Sequence, residues 1–312
     1  MGPANETAVS EFILEGFPEL NQRLQLLLSL ILLLMYLTTV TGNAIIIFLV
    51  RVDHHLQTPM FFFISNLAFL EIWFTSSTSI KLFAILSSDQ KTISLSSCFA
   101  QSYFYFALGG TEFGLLVVMS FDRCVAICHP LHYAATMQPQ LCLGLVVAAW
   151  VIGFTLLSYH PLFLSQLSFC GSNRIPHFLC DNSPLFQLSC SDTSLLWKID
   201  TAFISCIVLG SLALNLAFYT CILFCILQLP AASGRKKKAF TTCSSHLITL
   251  SIVYGSCIAL YTYASLKTNR IVALLNTVLY PFLNPFIYSF RNKAVILALN
   301  KSIARTRAKL FP

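Results

Sequence analysis

Charged residues are scarce in this sequence. Only 10% of its 312 residues are Asp, Glu, Lys or Arg, whereas 56% are hydrophobic, and the mean hydropathy is +0.76. Soluble domains carry roughly 25% charged residues, so a soluble fold of this length could not bury so much apolar surface. The composition excludes a soluble globular protein and indicates a membrane protein.

Several common motifs are also absent. The first 20 residues are polar and acidic, so we expect no removable signal peptide and assign membrane insertion to the first apolar run. Neither end carries a lipidation motif. No Gly/Ser-rich linker or internal repeat divides residues 1–312, which we interpret as one domain. Without a zinc box, a paired catalytic aspartate motif or a glycine-rich phosphate loop, we expect no enzyme and no catalytic residues.

Seven apolar runs reach the length of a transmembrane helix, about 20 residues at 1.5 Å each. Pro59 and Pro139 lie at the starts of the second and fourth runs, where a missing N–H costs little, and Pro230 ends the fifth. We therefore predict an all-α membrane protein, a seven-transmembrane helix bundle. The runs cover approximately residues 24–50, 59–86, 98–128, 140–160, 197–229, 238–263 and 271–289.

Basic residues are concentrated on one side of these runs. Cytoplasmic segments of membrane proteins are enriched in Lys and Arg, which predicts an extracellular N-terminus (1–23) and a cytoplasmic tail (290–312) in a multi-pass plasma-membrane protein. The tail alternates apolar and cationic residues and predicts a short amphipathic helix on the membrane surface. We expect contacts with membrane lipids and no nucleic-acid binding, because the lysines adjoin membrane helices. The inner basic residues are Arg51, Arg123, Arg235, Lys236, Lys237, Lys238, Arg291, Lys293, Lys301, Arg305, Arg307 and Lys309.

Two carboxylic acids lie near the middle of apolar runs, Glu71 in the second and Glu112 in the third. Burying an ionised group costs at least about 2.5 kcal/mol on the mildest scale, so each acid needs a compensating partner. Together with Asn43 and Asn284 on other spans, their oxygens suit a hard cation such as Na⁺. The alternative is a protonated, hydrogen-bonded pair, since desolvation favours the neutral acid.

Four of the 12 cysteines fall on the predicted outer side, where disulfides persist. Cys98 opens the third run, and Cys170, Cys180 and Cys190 share one long loop. Three pairings are open, and the sequence alone does not choose between them. We predict the pairs Cys98–Cys180 and Cys170–Cys190. The first bond would tie the loop over the bundle, and the second would close the loop on itself. On the same side, Asn5 begins the sequence N-E-T and is a candidate glycosylation site.

Asp122 and Arg123 adjoin at the inner end of the third run. The arginine marks the membrane edge, but adjacent helical residues point about 100° apart, so the helix alone does not pair the two charges. With Gly42-Asn43 in the first span, Cys98 at the mouth of the third and the sequence NPFIY (284–288) in the seventh, this pair resembles the rhodopsin-like G-protein-coupled receptors.

Longer blocks of sequence are similar to the vertebrate olfactory receptors, from the second span to the tail. Three positions depart from the wider rhodopsin-like pattern: Tyr254 stands without a proline in the sixth span, Glu71 replaces the usual aspartate, and Cys124 follows the arginine in place of tyrosine. The first and third departures are common among olfactory receptors. The similar blocks are PMFFFISNLAFLE (59–71), MSFDRCVAICHPLHY (119–133), HFLCDNSPLFQLSC (177–190), KAFTTCSSHL (238–247) and PFLNPFIYSFRN (281–292).

This resemblance implies a ligand pocket among the third, fifth, sixth and seventh spans. Its walls, counted by helical turns, are apolar and aromatic with a few hydroxyl or thiol groups, and Tyr105 stands where amine receptors hold an aspartate. The implied ligand is a small, neutral, mostly apolar odorant. The alternative is a rhodopsin-like receptor for a non-odorant lipid or small molecule. The predicted wall residues are Tyr105, Phe106, Gly109, Gly110, Phe203, Cys206, Ile207, Tyr254, Cys257, Ile258, Tyr261, Leu274 and Thr277.

The resemblance also implies a heterotrimeric stimulatory G protein as partner and a rise in cAMP as output. In such a receptor Asp122 restrains Arg123 at rest, and Arg123 faces the G protein and Tyr219 when the bundle opens. A seven-span transporter would also explain buried carboxylates, but seven spans do not divide into two equal halves. The residues implied in coupling or switching are Asp122, Arg123, Tyr219, Lys236, Lys237, Lys238, Asn284, Pro285 and Tyr288.

Overall fold

A computed structural model describes residues 9–88, 90–170, 172–228, 235–262, 266–289 and 293–310. Its helices are α1 (Gln22–Val52), α2 (Pro59–Ser88), α3 (Leu95–Cys128), α4 (Tyr133–Thr136), α5 (Pro139–Leu156), α6 (Tyr159–Leu164), α7 (Asn182–Leu188), α8 (Ser194–Gln228), α9 (Arg235–Thr262), α10 (Leu266–Leu274), α11 (Tyr280–Ser289) and α12 (Lys293–Leu310). A 3₁₀ turn covers His54–Leu56 and a π-helical turn Leu275–Leu279, and the strands are β1 (Glu11–Leu14), β2 (Thr92–Ser94) and β3 (Arg174–Ile175).

Within these residues, six helical segments are long and apolar enough to cross a membrane by length and composition. They are α1, α2, α3, α5 with α6, α8, and the segment Arg270–Tyr288. Helix α9 adds a shorter apolar stretch, Cys243–Ala259, within the part of the chain that the structure describes. Leu34 on α1 and Phe224 on α8 are exposed, as expected of faces that contact lipid tails. The largely helical architecture confirms the predicted fold class.

Capping residues set where several helices begin. The Asn21 side chain accepts a 2.9 Å hydrogen bond from the Leu24 N–H at the start of α1, and Ser94 caps α3 in the same way. Pro59 and Pro139 begin α2 and α5, where the first-turn N–H has no helical acceptor. The observed helix starts lie within a few residues of the predicted starts of the apolar runs. Capping residues are polar and lie at the membrane surface, just outside the apolar run that crosses its interior.

The seventh span changes its hydrogen-bond pattern in the middle, although the sequence predicts one continuous helix. Pro281 has no N–H, so the Thr277 carbonyl loses its helical donor. The Thr75 hydroxyl of α2 donates to that carbonyl at 3.4 Å, beside the π-helical turn Leu275–Leu279. The irregular turn therefore fixes the seventh span against α2.

The fourth span is interrupted for a similar reason. Pro161 cannot donate to the Leu157 carbonyl, and the His160 N–H bonds to that carbonyl at 3.2 Å instead. Helix α5 therefore ends at Leu156, and the span continues through α6 to Leu164, beyond the predicted limit at residue 160.

Two glycines permit close contacts between spans. A Cβ on Gly42 of α1 would lie 2.9 Å from Pro285 of α11, and one on Gly153 of α5 would lie 2.2 Å from the Thr111 hydroxyl of α3. Both distances are shorter than normal carbon contacts. Any larger residue would therefore push these helix pairs apart.

A small three-stranded sheet covers one end of the bundle, which we call the sheet end. Strand β1 pairs antiparallel with β2 and parallel with β3. Phe12 and Leu14 of β1 are fully buried while Glu11 is exposed, the alternation expected of a strand with one covered face. At the opposite α12 end, Val295 and Ala298 pack into the same apolar core as α1.

Candidate functional site

Two predicted wall residues of α3 stack on aromatic rings of neighbouring elements. The Tyr105 ring lies 5.5 Å from that of Phe74 on α2, and the Phe106 ring lies 5.0 Å from that of His160 on α6, with nearly parallel planes. Such contacts fix the orientation of both side chains.

The two glycines that follow differ in their surroundings. A Cβ added to Gly109 would meet no heavy atom within 4 Å, whereas one on Gly110 would lie 3.2 Å from Leu157 of the fourth span. Gly109 therefore borders open space, as a pocket wall requires, and Gly110 serves the contact between α3 and the fourth span.

Helices α8 and α9 bring only part of their predicted wall inward. Ile207 and Cys257 pack against the buried cluster that contains Tyr254. Cys206 is exposed and Ile258 is 59% exposed, so the structure does not bring these two into the interior. Counting by helical turns predicts which residues share one face of a helix. It does not predict the rotation of the helix about its axis, because contacts with neighbouring helices set that rotation.

The remaining wall positions are spread over the sheet-end half of the bundle. Phe203 is 37% exposed, and its ring lies 5.0 Å from that of Tyr159. Leu274 packs against an apolar cluster of α1, α2 and the long loop that contains Phe178 and Leu179. Thr277 is fully buried and donates to a carbonyl of its own span. The Tyr261 side chain lies outside the described residues.

Tyr254 belongs to a polar network that sequence reasoning missed. Its hydroxyl donates to Ser211 Oγ at 2.8 Å and accepts from Asn215 Nδ2 at 3.0 Å. Asn215 Oδ1 in turn accepts from the Ser120 hydroxyl of α3. The network joins α3, α8 and α9 beneath the predicted pocket. Two polar residues at i and i+4 within the apolar fifth span were the sequence signal for it.

The long loop is fastened over the sheet end by disulfides. Cys98 is bonded to Cys180 and Cys170 to Cys190. Gln101 of α3 adds a hydrogen bond, since its Oε1 accepts from the Cys180 N–H at 3.1 Å. Cys98 and Cys180 are fully buried, so the loop forms a fixed cover.

A second polar group, the outer polar cluster, lies under this cover and consists of Ser102, Tyr159, His160, Asn182 and Asp200. Asn182 Nδ2 lies 2.7 Å from His160 Nδ1 and donates to Asp200 Oδ1 at 3.0 Å. Tyr159 donates to the same carboxylate oxygen at 3.1 Å, and Ser102 donates to Asn182 at 2.9 Å. The cluster ties α3, α6, α7 and α8 together where each begins or ends.

Burial shifts the pKa values of two ionisable groups in the long loop. Burial and the nearby Arg270 guanidinium lower the pKa of His177 to about 4, so this imidazole is neutral at physiological pH. Arg270 donates to the Pro176 carbonyl at 2.9 Å and to Glu19 at 3.3 Å. Removal from water raises the pKa of Asp181 to about 6. Near neutral pH the His177 imidazole is therefore uncharged, whereas Asp181 is still mostly ionised.

The two intramembrane carboxylates meet halfway along the bundle. Glu71 Oε1 accepts from Asn284 Nδ2, and the Tyr280 hydroxyl lies beside both Glu71 and Glu112. Three buried oxygens here, Glu71 Oε2, Glu112 Oε1 and Asn284 Oδ1, have no hydrogen-bond partner, nor does Asn43 Nδ2. Buried polar atoms are normally paired, so this group fits an ion or water, and its oxygens suit Na⁺.

At the α12 end, Arg123 folds back on its neighbour. Its guanidinium donates to Asp122 Oδ2, with Nε at 3.0 Å, although the two Cα–Cβ bonds point apart. The length of the arginine side chain makes this contact possible. Asp122 is fully buried, and its other oxygen accepts from the Tyr133 hydroxyl at 2.6 Å. Burial and this hydrogen bond raise the pKa of Tyr133, so its hydroxyl stays protonated.

A histidine that sequence reasoning overlooked completes this end. His246 of α9 is fully buried, and its Nδ1 lies 2.8 Å from the Tyr219 hydroxyl of α8. One residue earlier, the Ser245 hydroxyl donates to the Ile287 carbonyl at 3.0 Å. Helix α9 is thereby held to α8 and to α11. A histidine inside an apolar run was the available signal.

The other predicted coupling residues are distributed around this end. Pro285 touches Gly42, Tyr288 is buried, and Lys236 Nζ donates to the Leu227 carbonyl at 3.4 Å. The side chains of Lys237 and Lys238 lie outside the described residues, as does all of Asn5.

Comparison with known proteins gives concordant results. A family model described as olfactory receptor matches residues 32–306. The chain is 47% identical to mouse olfactory receptor 6E1 over 307 residues, covering 97% of each chain. It is 48% identical to human olfactory receptor 6C3 over 295 residues, covering 93% of this chain and 94% of the relative.

A solved structure supports the architecture. The crystal structure of squid rhodopsin superimposes with a TM-score of 0.74, covering 93% of this chain and 83% of the other at 14% identity. At that identity the likeness concerns the fold alone. The likeness fits a seven-helix bundle.

Proposed function

Since the chain belongs to the olfactory receptor family, we propose that it detects a small, neutral, mostly apolar volatile and activates a stimulatory G protein that raises cAMP. Membership makes it an odorant-sensing G-protein-coupled receptor, a multi-pass plasma-membrane protein and not an enzyme. A small-molecule ligand and a G protein are its partners. The proposal adds the ligand chemistry, the class of G protein and an extracellular sheet end.

The ligand class rests on the wall beside Gly109. Tyr105 and Phe106 lie about one helical turn before Gly109 on α3, and none of the predicted wall residues carries a charge. Asp200, an acid at this end, already accepts hydrogen bonds from Tyr159 and Asn182. A charged ligand would lose its hydration without gaining a counter-ion, whereas an apolar one gains about 25 cal/mol per Å² buried.

Signalling follows as a population shift in which the ligand binds the active bundle more tightly than the inactive one. The polar network of Tyr254, Ser211 and Asn215 links the pocket floor to α3 and α8. At the α12 end, opening would separate α9 from α8, which the Tyr219–His246 hydrogen bond now joins, and would release Arg123 from Asp122. The exposed guanidinium would then meet the G protein.

Cells that express the receptor should show a cAMP response to neutral volatiles in a panel that also contains short carboxylic acids and amines. Replacing Phe106 with alanine should raise the half-maximal concentration of an active volatile about fivefold, since a buried aromatic contact contributes on the order of 1 kcal/mol. Phe48→Ala, on the exposed face of α1, is the matched control and should leave potency unchanged. Responses confined to acids or amines would show that the ligand class is wrong.

We further propose that Glu71, Glu112, Asn43 and Asn284 hold a sodium ion. Among the described residues, no group of three or more His, Cys, Asp or Glu side chains is arranged for a metal, but two carboxylates with amide oxygens are enough for a monovalent cation. Glu112→Gln keeps the shape and removes one negative charge, so sodium affinity should fall at least about tenfold.

The purified receptor should unfold at a higher temperature in NaCl than in KCl of equal ionic strength, because an ion that binds only the folded state stabilises it. Glu112→Gln should remove this difference and any sodium dependence of signalling. A wild-type receptor with no sodium effect would favour the protonated, hydrogen-bonded pair instead.

A further inference from the structure

Four cysteines that are outside disulfides meet between α3 and α8 near the α12 end. They are Cys124 and Cys128 on α3, and Cys221 and Cys225 on α8. We call them the thiol ladder. Each pair is spaced i, i+4, so both members lie on the same face of their helix. None of them belongs to the ligand pocket or to the switch residues described above.

The two helices are held in register just before the ladder begins. Ser120 donates to Asn215, and one residue further the rings of Phe121 and Phe218 lie 5.7 Å apart. Both helices run from the sheet end towards the α12 end, so equal steps along each keep facing residues together. One turn on, Cys124 faces Cys221, and after another turn Cys128 faces Cys225.

Direct contacts support this pairing. The thiols of Cys124 and Cys221, and those of Cys128 and Cys225, lie near enough across the interface to interact electrostatically. Cys128 Sγ also lies 3.6 Å from the Cys221 carbonyl oxygen. An α3 side chain therefore touches the α8 backbone one turn before Cys225.

A shared metal does not explain the cluster. Four thiolates around a soft ion would form a tetrahedral site, but no group of His, Cys, Asp or Glu within the described residues has such an arrangement. Cysteines that face each other across two helices can instead exchange between dithiol and disulfide forms.

We propose that Cys128 and Cys225 form a reversible disulfide when cytosolic glutathione becomes oxidised, and that this bond holds the receptor in its uncoupled form. Cys128 is the last residue of α3, so this rung lies nearer the helix ends than the rung of Cys124 and Cys221. Both of its cysteines are half-buried. The cytosol keeps such thiols reduced at rest, and disulfides that form there are transient and sensory.

The exchange needs glutathione disulfide as oxidant. The Cys128 thiolate attacks one sulfur of glutathione disulfide and releases one glutathione thiolate. The Cys225 thiolate then attacks Cys128 Sγ in the mixed disulfide and releases the second glutathione. One protein S–S bond forms and one glutathione S–S bond breaks. Two electrons pass from the protein to glutathione, and the two cysteine protons end on the two glutathione thiols.

The consequence for signalling follows from geometry. A disulfide holds two Cα atoms at about 4.4–6.8 Å, so α3 and α8 could no longer separate at the end where Arg123 and Tyr219 lie. The location in the cytosol and this effect on coupling rest on the proposed function. Formation of the bond itself does not.

The test uses the full receptor in lipid nanodiscs, equilibrated in glutathione buffers of increasing oxidised fraction. Free thiols are then alkylated and the digested peptides identified by mass spectrometry. We expect Cys128 and Cys225 to escape alkylation together and to appear in one linked peptide. Cys142, a buried thiol of α5, should remain a free thiol and be alkylated once the receptor is denatured. The proposal is overturned if the two cysteines remain alkylated or carry only glutathione in fully oxidised buffer.

Coupling is measured separately as nucleotide exchange on the G protein. Oxidation should lower agonist-stimulated exchange at least about fivefold, the lower range of allosteric couplings, and reduced glutathione should restore it. Cys128→Ser and Cys225→Ser should each be insensitive to oxidation, whereas Cys142→Ser should respond like the wild type. A linked peptide without any change in exchange would contradict the regulatory part of the proposal. A receptor that couples to no stimulatory G protein but still forms the peptide would contradict the proposed function only.

Discussion

Replacement of Arg123 by alanine should reduce odorant-evoked cAMP at least about tenfold, within the usual range of allosteric coupling, while the receptor still reaches the cell surface. Arg123 is held by Asp122 at the α12 end, and in the open bundle it is the group that would meet the G protein. The alanine side chain can neither be restrained nor reach that partner. The measurement is cAMP at saturating volatile, normalised to surface receptor counted by antibody.

Folding should survive this change because Asp122 keeps its 2.6 Å hydrogen bond from Tyr133. Arg51→Ala, in the exposed last turn of α1, is the matched control and should signal normally. Arg123→Lys separates charge from shape, since lysine lacks the planar fork of donors, and it should lie between the two. Full signalling by Arg123→Ala would refute the switch assigned to this residue.

Loss of the Cys98–Cys180 disulfide should remove most of the receptor from the cell surface. The bond closes a loop of 82 residues, which in the chain-entropy description stabilises the folded state by about 4.5 kcal/mol. That is a large share of the 5–15 kcal/mol typical of a folded protein. The Cys98→Ser receptor should therefore unfold at a clearly lower temperature in detergent and be retained inside the cell.

The double variant provides the internal check. Cys98→Ser, Cys180→Ser and the two together remove the same bond, so all three should lose the same stability. Cys170→Ser opens a loop of only 20 residues and should cost about 3.3 kcal/mol by the same relation, which leaves more receptor at the surface. Wild-type thermal stability of Cys98→Ser would contradict the importance given to the cover.

Much of the predicted site depended on the rotation of helices, which the sequence expresses weakly. Phe106 and Gly109 lie where a pocket wall is expected, but Cys206 and Ile258 are exposed on the outer surface. The hydrophobic pattern does not distinguish these cases, because lipid-facing and buried positions of a membrane helix are both apolar. The roles of the wall residues stay predictions until ligand potency is measured.

Two elements show what sequence reasoning missed. The N-terminal segment was interpreted as a polar extracellular stretch, yet Phe12 and Leu14 bury one face of β1 in the sheet. The alternation in EFILEGF was the available signal, but four residues are too short to decide between a strand and a loop. His246 lies in the sequence block 238–247, but the sequence indicates no role for this histidine. Only the fold brings the Tyr219 hydroxyl into contact with it.

By itself the sequence determined that this is a largely helical membrane protein of the olfactory receptor family, because membrane insertion depends on local sums of hydrophobicity and family blocks are contiguous. Tertiary structure decided which cysteines pair, that Arg123 folds back on Asp122, and that four thiols form two facing pairs. These features join residues up to about a hundred positions apart. Their contacts depend on the rotation and register of whole helices, which packing between helices sets and no local pattern records.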